Sequence, residues 1–242
     1  AVSDPKQVKE NLFDRVLKSS PNNREALLAT GELALAKRDF KLAGRTFTRA
    51  IRHYPEDADL LYGLAKAYAE SDPSQMEEPL HTAMFANPDH VPSLLLQAHN
   101  QADAEQYDAA NGILKAIFKV NPHHAASWAL QAALHTVRNE PAKATAARAN
   151  GLNHWKTNPL VDHEIGKKLS SKYLFAEGAA HQRQALKFDN DYVPAKTQLA
   201  QDLLRLGEDE EGWRLAAEAH EEDGYDVTTF NLLTLHDSLK KY

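Results

Sequence analysis

Histidine and carboxylate groups are the residues of this chain that could do chemistry. The 242 residues include 12 histidines and 34 aspartates and glutamates, but no cysteine. Thiolate metal sites and disulfides are therefore excluded. His163-Glu164 opens like the zinc-protease pattern H-E-x-x-H, in which two imidazoles one helical turn apart hold the metal and the glutamate activates water. The position that should carry the second imidazole is Lys167, so no zinc site is expected. His123-His124 directly follow Pro122 and are expected in a turn and the start of the next helix, with their side chains diverging. No G-x-S-x-G elbow and no glycine-rich phosphate loop occur, and the ten glycines are scattered. The acidic runs Glu208-Asp209-Glu210-Glu211 and Glu221-Glu222-Asp223 flank one predicted helix. They read as solvated faces, the first favouring the helix dipole, with a basic partner as the other use. No metal, no cofactor and no activity of the isolated chain are expected.

Composition bounds the remaining classes. Charged residues make up 26% and apolar residues 43%, proportions of a folded chain rather than a disordered one. The formal charge is -6 and the pI about 6.1, and no basic stripe stands out, so nucleic acid is not an expected partner. No apolar run reaches the ~18 residues of a membrane span. Ala1-Val2-Ser3 shows no charged-then-apolar leader, and the compartment stays open.

The elements that would position any functional group follow a ruler. Pro21, Pro55, Pro88, Pro122 and Pro159, then Asn190 and Gly224, recur with gaps of 34, 33, 34, 37, 31 and 34. Such a period marks a stack of helix pairs. Within the block ending at Pro55, Leu27, Gly31 and Ala34 share one helix face, and Ala43, Phe47 and Ala50 share another. Small residues at Gly31, Ala43 and Ala50 let two backbones approach, while Leu27, Phe40 and Phe47 fill the space between them. The next block repeats the pattern with Leu61, Leu64, Ala65, Tyr68, Leu80 and Ala83, but its inter-helix turn, Glu70 to Ser74, is one residue short. Later blocks carry Leu94, Ala98, Leu114, Ile117, Trp128, Ile165, Leu169, Leu199 and Leu203 at corresponding places. Asn153-His154-Trp155 either extends a helix or forms a longer loop. Trp155 and Trp213 are expected to pad junctions between blocks.

These residues resemble the tetratricopeptide repeat (TPR) family over essentially the whole chain. The resemblance implies an all-α fold: a right-handed superhelical solenoid of antiparallel helix pairs forming one domain. A half-repeat would occupy 4–21, full repeats 22–55, 56–88, 89–122, 123–159, 160–190 and 191–224, and a terminal helix 225–242. It further implies that positions 2, 5, 9 and 12 of each first helix face a groove that binds a protein or peptide segment. Carried over, the groove residues are Leu28, Glu32, Tyr62, Lys66, Leu95, His99, Tyr173 and Gln201. Tyr62, Leu95 and Tyr173 would be apolar anchors, and Lys66 and Gln201 polar contacts. Small residues at Ala129, Ala133 and Gly166 could instead let neighbouring helices close up. The Lys and Asn that clamp a terminal carboxylate in one TPR subclass are absent, since the corresponding pairs are Leu28/Glu32, Tyr62/Lys66 and Leu95/His99.

The stretch from Gly224 through Phe230-Asn231-Leu232-Leu233 to Lys240-Lys241-Tyr242 is similar to the junction where TPR repeats lead into a gluzincin-type metalloprotease domain in bacterial proteins. That resemblance implies the alternative of a recruiting or regulatory arm, with a C-terminal domain of the same parent chain as its partner. Otherwise the last helix is a plain cap.

Overall fold

A computed structural model describes residues 4–239, and among these there are helices and turns but no strand. Ala1 to Ser3 and Lys240 to Tyr242 lie outside the described residues. The first element is broken: α1 (Pro5–Val8) and α2 (Asp14–Ser19) are joined by a π-helical stretch, Lys9–Phe13, where the sequence predicts one uninterrupted helix. The pairs that follow are α3 (Arg24–Ala36) with α4 (Phe40–Ile51) and α5 (Ala58–Ser71) with α6 (Glu77–Ala86), and after them in the chain stand α7 (Val91–Asp103) and α8 (Tyr107–Val120). Then come α9 (Ala125–Val137) with α10 (Pro141–Gly151), α11 (Pro159–Ser171) with α12 (Phe175–Phe188), α13 (Val193–Leu206) with α14 (Asp209–Glu222), and finally α15 (Val227–Leu239). Contacts group the chain into two compact units, one up to Asn100 and one from Gln101 onward, the division falling inside α7.

The turns explain the ruler and correct one of its marks. Asn87, Asn121, Asp189 and Asp223 each end a helix, and each side chain accepts the N–H two residues on, at 2.9–3.1 Å. This side-chain turn orders the Pro, Asn or Gly that follows. Pro159 is not such a residue. It is the first residue of α11, behind the cap Asn158, whose side chain accepts from Leu160 N at 3.1 Å. A proline there loses no helical hydrogen bond. The turn itself falls on Lys156-Thr157, so the gaps of 37 and 31 become two of 34. Asn153-His154-Trp155 accordingly belongs to the loop after α10, and Trp155 is exposed rather than padding a junction.

At five of the six inter-helix turns inside the repeats a second clock runs. Arg38, Glu105, Asn139 and Tyr173 have φ of 57°, 61°, 56° and 64°, followed by Gly207 at 80°. Each left-handed residue lets the next N–H reach back five residues: Asp39 to Ala34 O (2.8 Å), Glu140 to His135 O (2.8 Å) and Glu208 to Leu203 O (2.9 Å). This is the Schellman closure that satisfies carbonyls at a helix end. After α5 the motif is missing. Asp72 has φ -151°, and a 3₁₀ turn, Pro73–Gln75, takes its place in the block that is one residue short.

The first unit packs Leu27, Ala43, Phe47, Leu60 and Leu64 into one core spanning α3, α4 and α5. The Phe47 ring lies between α3 and α5 so tightly that a Cβ at Gly31 or Gly63 would collide with it. In the second unit α9 packs on both α10 and α11, burying Ala129, Ala133, Ile165 and Leu169. A further core joins Leu199, Leu203 and Leu215, against which Leu232 and Leu233 of α15 rest. Trp213 stacks on His236 at 4.4 Å, filling the junction between α14 and α15.

Candidate functional site

In the first unit α3 and α5 stand side by side because Phe47 of α4 holds them apart at the level of two glycines. Their outward faces bound a cleft of 420 Å³. Leu28, Glu32 and Leu35 of α3, Tyr62 and Lys66 of α5, and Pro92 at the start of α7 line it. Four of the eight residues predicted to form the groove therefore meet: Leu28, Glu32, Tyr62 and Lys66. Leu28 and Tyr62 are half-buried, whereas Glu32 and Lys66 are exposed. The floor is apolar and the rim carries both signs of charge.

One end of the cleft is fixed by an ion network that the sequence pattern did not single out. Arg24 donates to Asp57 from Nε (2.5 Å) and Nη2 (3.0 Å), and to Asp59 from Nη2 (2.5 Å). His90 Nε2 lies 3.1 Å from Asp59 Oδ1, and His90 Nδ1 lies 2.7 Å from Ser93 Oγ. A carboxylate only accepts, so Nε2 carries a proton toward Asp59. Burial opposes ionisation of Asp57, but Arg24 and the amides of Leu60 and Asp59 outweigh it and hold the carboxyl below its ordinary range. The Tyr62 ring meets His90 edge-on at 5.9 Å, and Lys66 Nζ stands 5.9 Å from its centroid. Tyr62 is thus oriented from both sides.

The other predicted groove residues are placed differently. Leu95 and His99 are half-buried on α7 and do not line this cleft. Tyr173 follows the end of α11 as the left-handed turn residue, 82% exposed, with its ring edge-on to Phe175 at 6.0 Å. Gln201 is half-buried on α13.

In the second unit the inward positions are filled. Ala129, Ala133 and Gly166 are buried. Gln182, fully buried, accepts at Oε1 opposite His163 Nδ1 (3.0 Å) and donates from Nε2 to His163 O (3.1 Å). Burial pushes the His163 imidazole down, against the opposing contact from Gln182. The buried Asp162 receives Arg148 through two bonds, 2.7 and 2.6 Å, and His181 Nδ1 at 2.7 Å. These groups join helices, and Arg148 and His181 also line a small cleft of 260 Å³ together with Ala132 and Ile165. Among the described residues no three His, Asp or Glu side chains are grouped to hold a metal. No described helix is long and apolar enough to cross a membrane.

No protein-family model and no curated protein sequence matches the chain. Solved structures do. The crystal structure of the Cut9–Hcn1 hetero-tetramer of the APC/C aligns with a TM-score of 0.62 and 14% identity, over 95% of this chain and 46% of that one. This chain thus spans about half of that neighbour's length. PilF of Pseudomonas aeruginosa aligns at 0.55 with 14% identity, over 87% of this chain and 96% of that one. TTC0263, a thermophilic TPR protein of Thermus thermophilus, aligns at 0.57 with 20% identity, over 75% and 99%. The fold is the TPR type, an all-α arrangement of helix pairs.

Proposed function

We propose, on the premise of this TPR-type fold, that the chain is a non-catalytic scaffold whose first unit holds a segment of a partner protein in the α3–α5 cleft. The observation that carries the reading is the convergence of Leu28, Glu32, Tyr62 and Lys66 on one apolar-floored, charge-rimmed cleft. An apolar side chain of the partner would cover Leu28 and Tyr62, and polar groups would meet Glu32 and Lys66. Among the neighbours, Cut9 is itself a component of a hetero-tetramer, which suits an assembly role here. Affinity capture with the wild type and with a Tyr62→Ala/Lys66→Ala variant tests this. An oriented aromatic anchor is worth ~2 kcal/mol or more, so the main captured protein should fall by roughly 30-fold. Equal capture by both chains refutes the cleft.

A second reading rests on α15, where Phe230 and Leu235 are 57% and 53% exposed. In it the chain is a recruiting or regulatory arm of a larger metalloprotease whose catalytic domain covers that face. The coding sequence past Tyr242 decides: an H-E-x-x-H domain supports the reading, and its absence removes it.

A further inference from the structure

On a second face of α4 the helix does something the overall acidity of the chain conceals. Lys41, Arg45, Arg49 and Arg52 follow one another at spacings of four, four and three, a single row about 16 Å long at 1.5 Å per residue. All four are exposed, and α4 contains no acidic residue. Among the described residues no carboxylate pairs with any of them, and only Arg49 is tied down, donating to Pro21 O. Of the nearby acids, Asp39 caps Leu42 N at 2.9 Å and Asp72 accepts from Ser74 Oγ at 2.6 Å, and neither is paired with a cation of the row. Like charges one turn apart work against the helix that bears them, so the row is a cost to the free protein.

Beside the row lies a shallow cleft of 640 Å³, sharing only Phe40 with the α3–α5 cleft. Its far wall includes Tyr68, Ser71, Gln75 and a single acid, Asp72, against the four cations of the row. Past Thr48, Tyr68 and Gln75 it continues into a 470 Å³ trough lined by Ile51, Leu61, Leu64 and Pro79. Gly44 is a second, independent sign. It sits inside α4 and lines this cleft, yet a Cβ there would meet nothing within 4 Å. An interior helical glycine is unfavourable relative to alanine, and no packing within the protein requires this one. Bare backbone at the cleft is what a closely approaching chain needs.

We propose that this face binds an acidic, leucine-bearing segment of a partner protein, its carboxylates on the cation row and its apolar side chains in the cleft over Gly44. The rest of the molecule favours a short peptide over a long polyanion or an anionic bilayer. The formal charge is -6 overall, so anything reaching past the row meets repulsion.

The probe is a fluorescein-labelled 14-residue peptide of aspartate and glutamate with two leucines, titrated with the full chain at 20 mM and 150 mM salt. Binding is expected, weaker at the higher salt. Lys41→Glu/Arg45→Glu/Arg52→Glu should reduce affinity at least tenfold, and Gly44→Leu should do so while melting no lower than wild type. Lys66→Glu, in the other cleft, should leave the affinity for this peptide unaltered while weakening capture by the α3–α5 cleft, which keeps the two results separate. The proposal is overturned if the triple variant binds equally, if Gly44→Leu leaves binding intact, or if replacing both leucines of the peptide by serine has no effect. It is also overturned if a 14-nucleotide DNA strand or phosphatidylserine vesicles bind more tightly through the same residues.

Discussion

Single positions in this chain differ sharply in what a change would do, and the difference is set by the space around each one. Gly112 lies within α8, and a Cβ there would touch nothing within 4 Å. Gly112→Ala should therefore stabilise the protein by ~0.5–1 kcal/mol, the usual helix-interior gain. Gly63→Ala should do the opposite, because the added methyl meets the Phe47 ring. Forcing a well-packed ring aside costs ~1–3 kcal/mol. The left-handed turn residues offer a matched pair: Gly207→Ala places a Cβ at φ 80° and should cost ~1–2 kcal/mol, while Glu105→Gly should relieve a strain of similar kind. Urea unfolding of the four variants against wild type checks all of these signs. A stabilised Gly63→Ala, or a destabilised Gly112→Ala, would contradict the packing described.

Helices α11, α12 and α13 carry two buried carboxyls whose pH dependences run in opposite directions. For Asp162, burial disfavours the charge, but His181 and Arg148 outweigh it and the carboxyl is lowered from its ordinary value of 3.8. Its contribution to stability is present above the unfolded carboxyl range and is lost as the pH falls through the folded value. Asp202 is raised, burial again being the largest influence, with Gln198 and Ser170 opposing. Its contribution is complete below the unfolded range and is lost as the pH rises through the folded value. Ser170 Oγ donates toward both Gly166 O and Asp202 Oδ2, at 2.9 Å each, so the carboxyl shares a single hydroxyl proton with a backbone carbonyl. Asp202→Asn should thus remove a loss of stability that wild type shows on the alkaline side of the carboxylate range. Arg148→Met should cost ~1–3 kcal/mol at neutral pH by stripping a charged hydrogen-bond partner from a buried acid. Denaturant midpoints measured from about pH 2 to pH 8, with the carboxyl carbon shift of residue 202, separate the two groups.

These elements also show how much the sequence revealed. The pairing of helices was legible because Leu27 and Gly31, Ala43 and Phe47, and likewise Leu199 and Leu203, each keep a helical spacing on a buried face. Leu28, Glu32, Tyr62 and Lys66 could be brought together from their places in the repeat. Tyr173 could not be placed that way, since it sits two residues beyond the end of α11 in a turn whose left-handed residue is glycine only at Gly207. A proline at Pro159 mimicked a turn mark, although it begins a helix. The cation row of α4 was hidden because net charge averages over the whole chain.

At the scale of the molecule, stability should be local. Within each unit helices pack on their chain neighbours, with skips such as α3 to α5 and α9 to α11, so the energy is close to a sum of adjacent contacts. Leu114 is fully buried in α8, and Leu114→Ala should cost ~2–5 kcal/mol. Hydrogen exchange should show the lost protection in α8 and the adjoining helices rather than evenly along the chain. Uniform loss would mean that the stack unfolds as one body.

The constant stride of the turns also matters for how such a chain changes length. The bends at Pro122-His123, Lys156-Thr157 and Asn190-Asp191 are interchangeable splice points, because each delivers the backbone to the same phase of the stack. Excising the 34 residues between two of them rejoins compatible ends, whereas a block of another length needs a remodelled turn, as the 3₁₀ segment Pro73–Gln75 shows in the 33-residue block. Growth and shrinkage of this protein are thereby quantised, one cassette at a time.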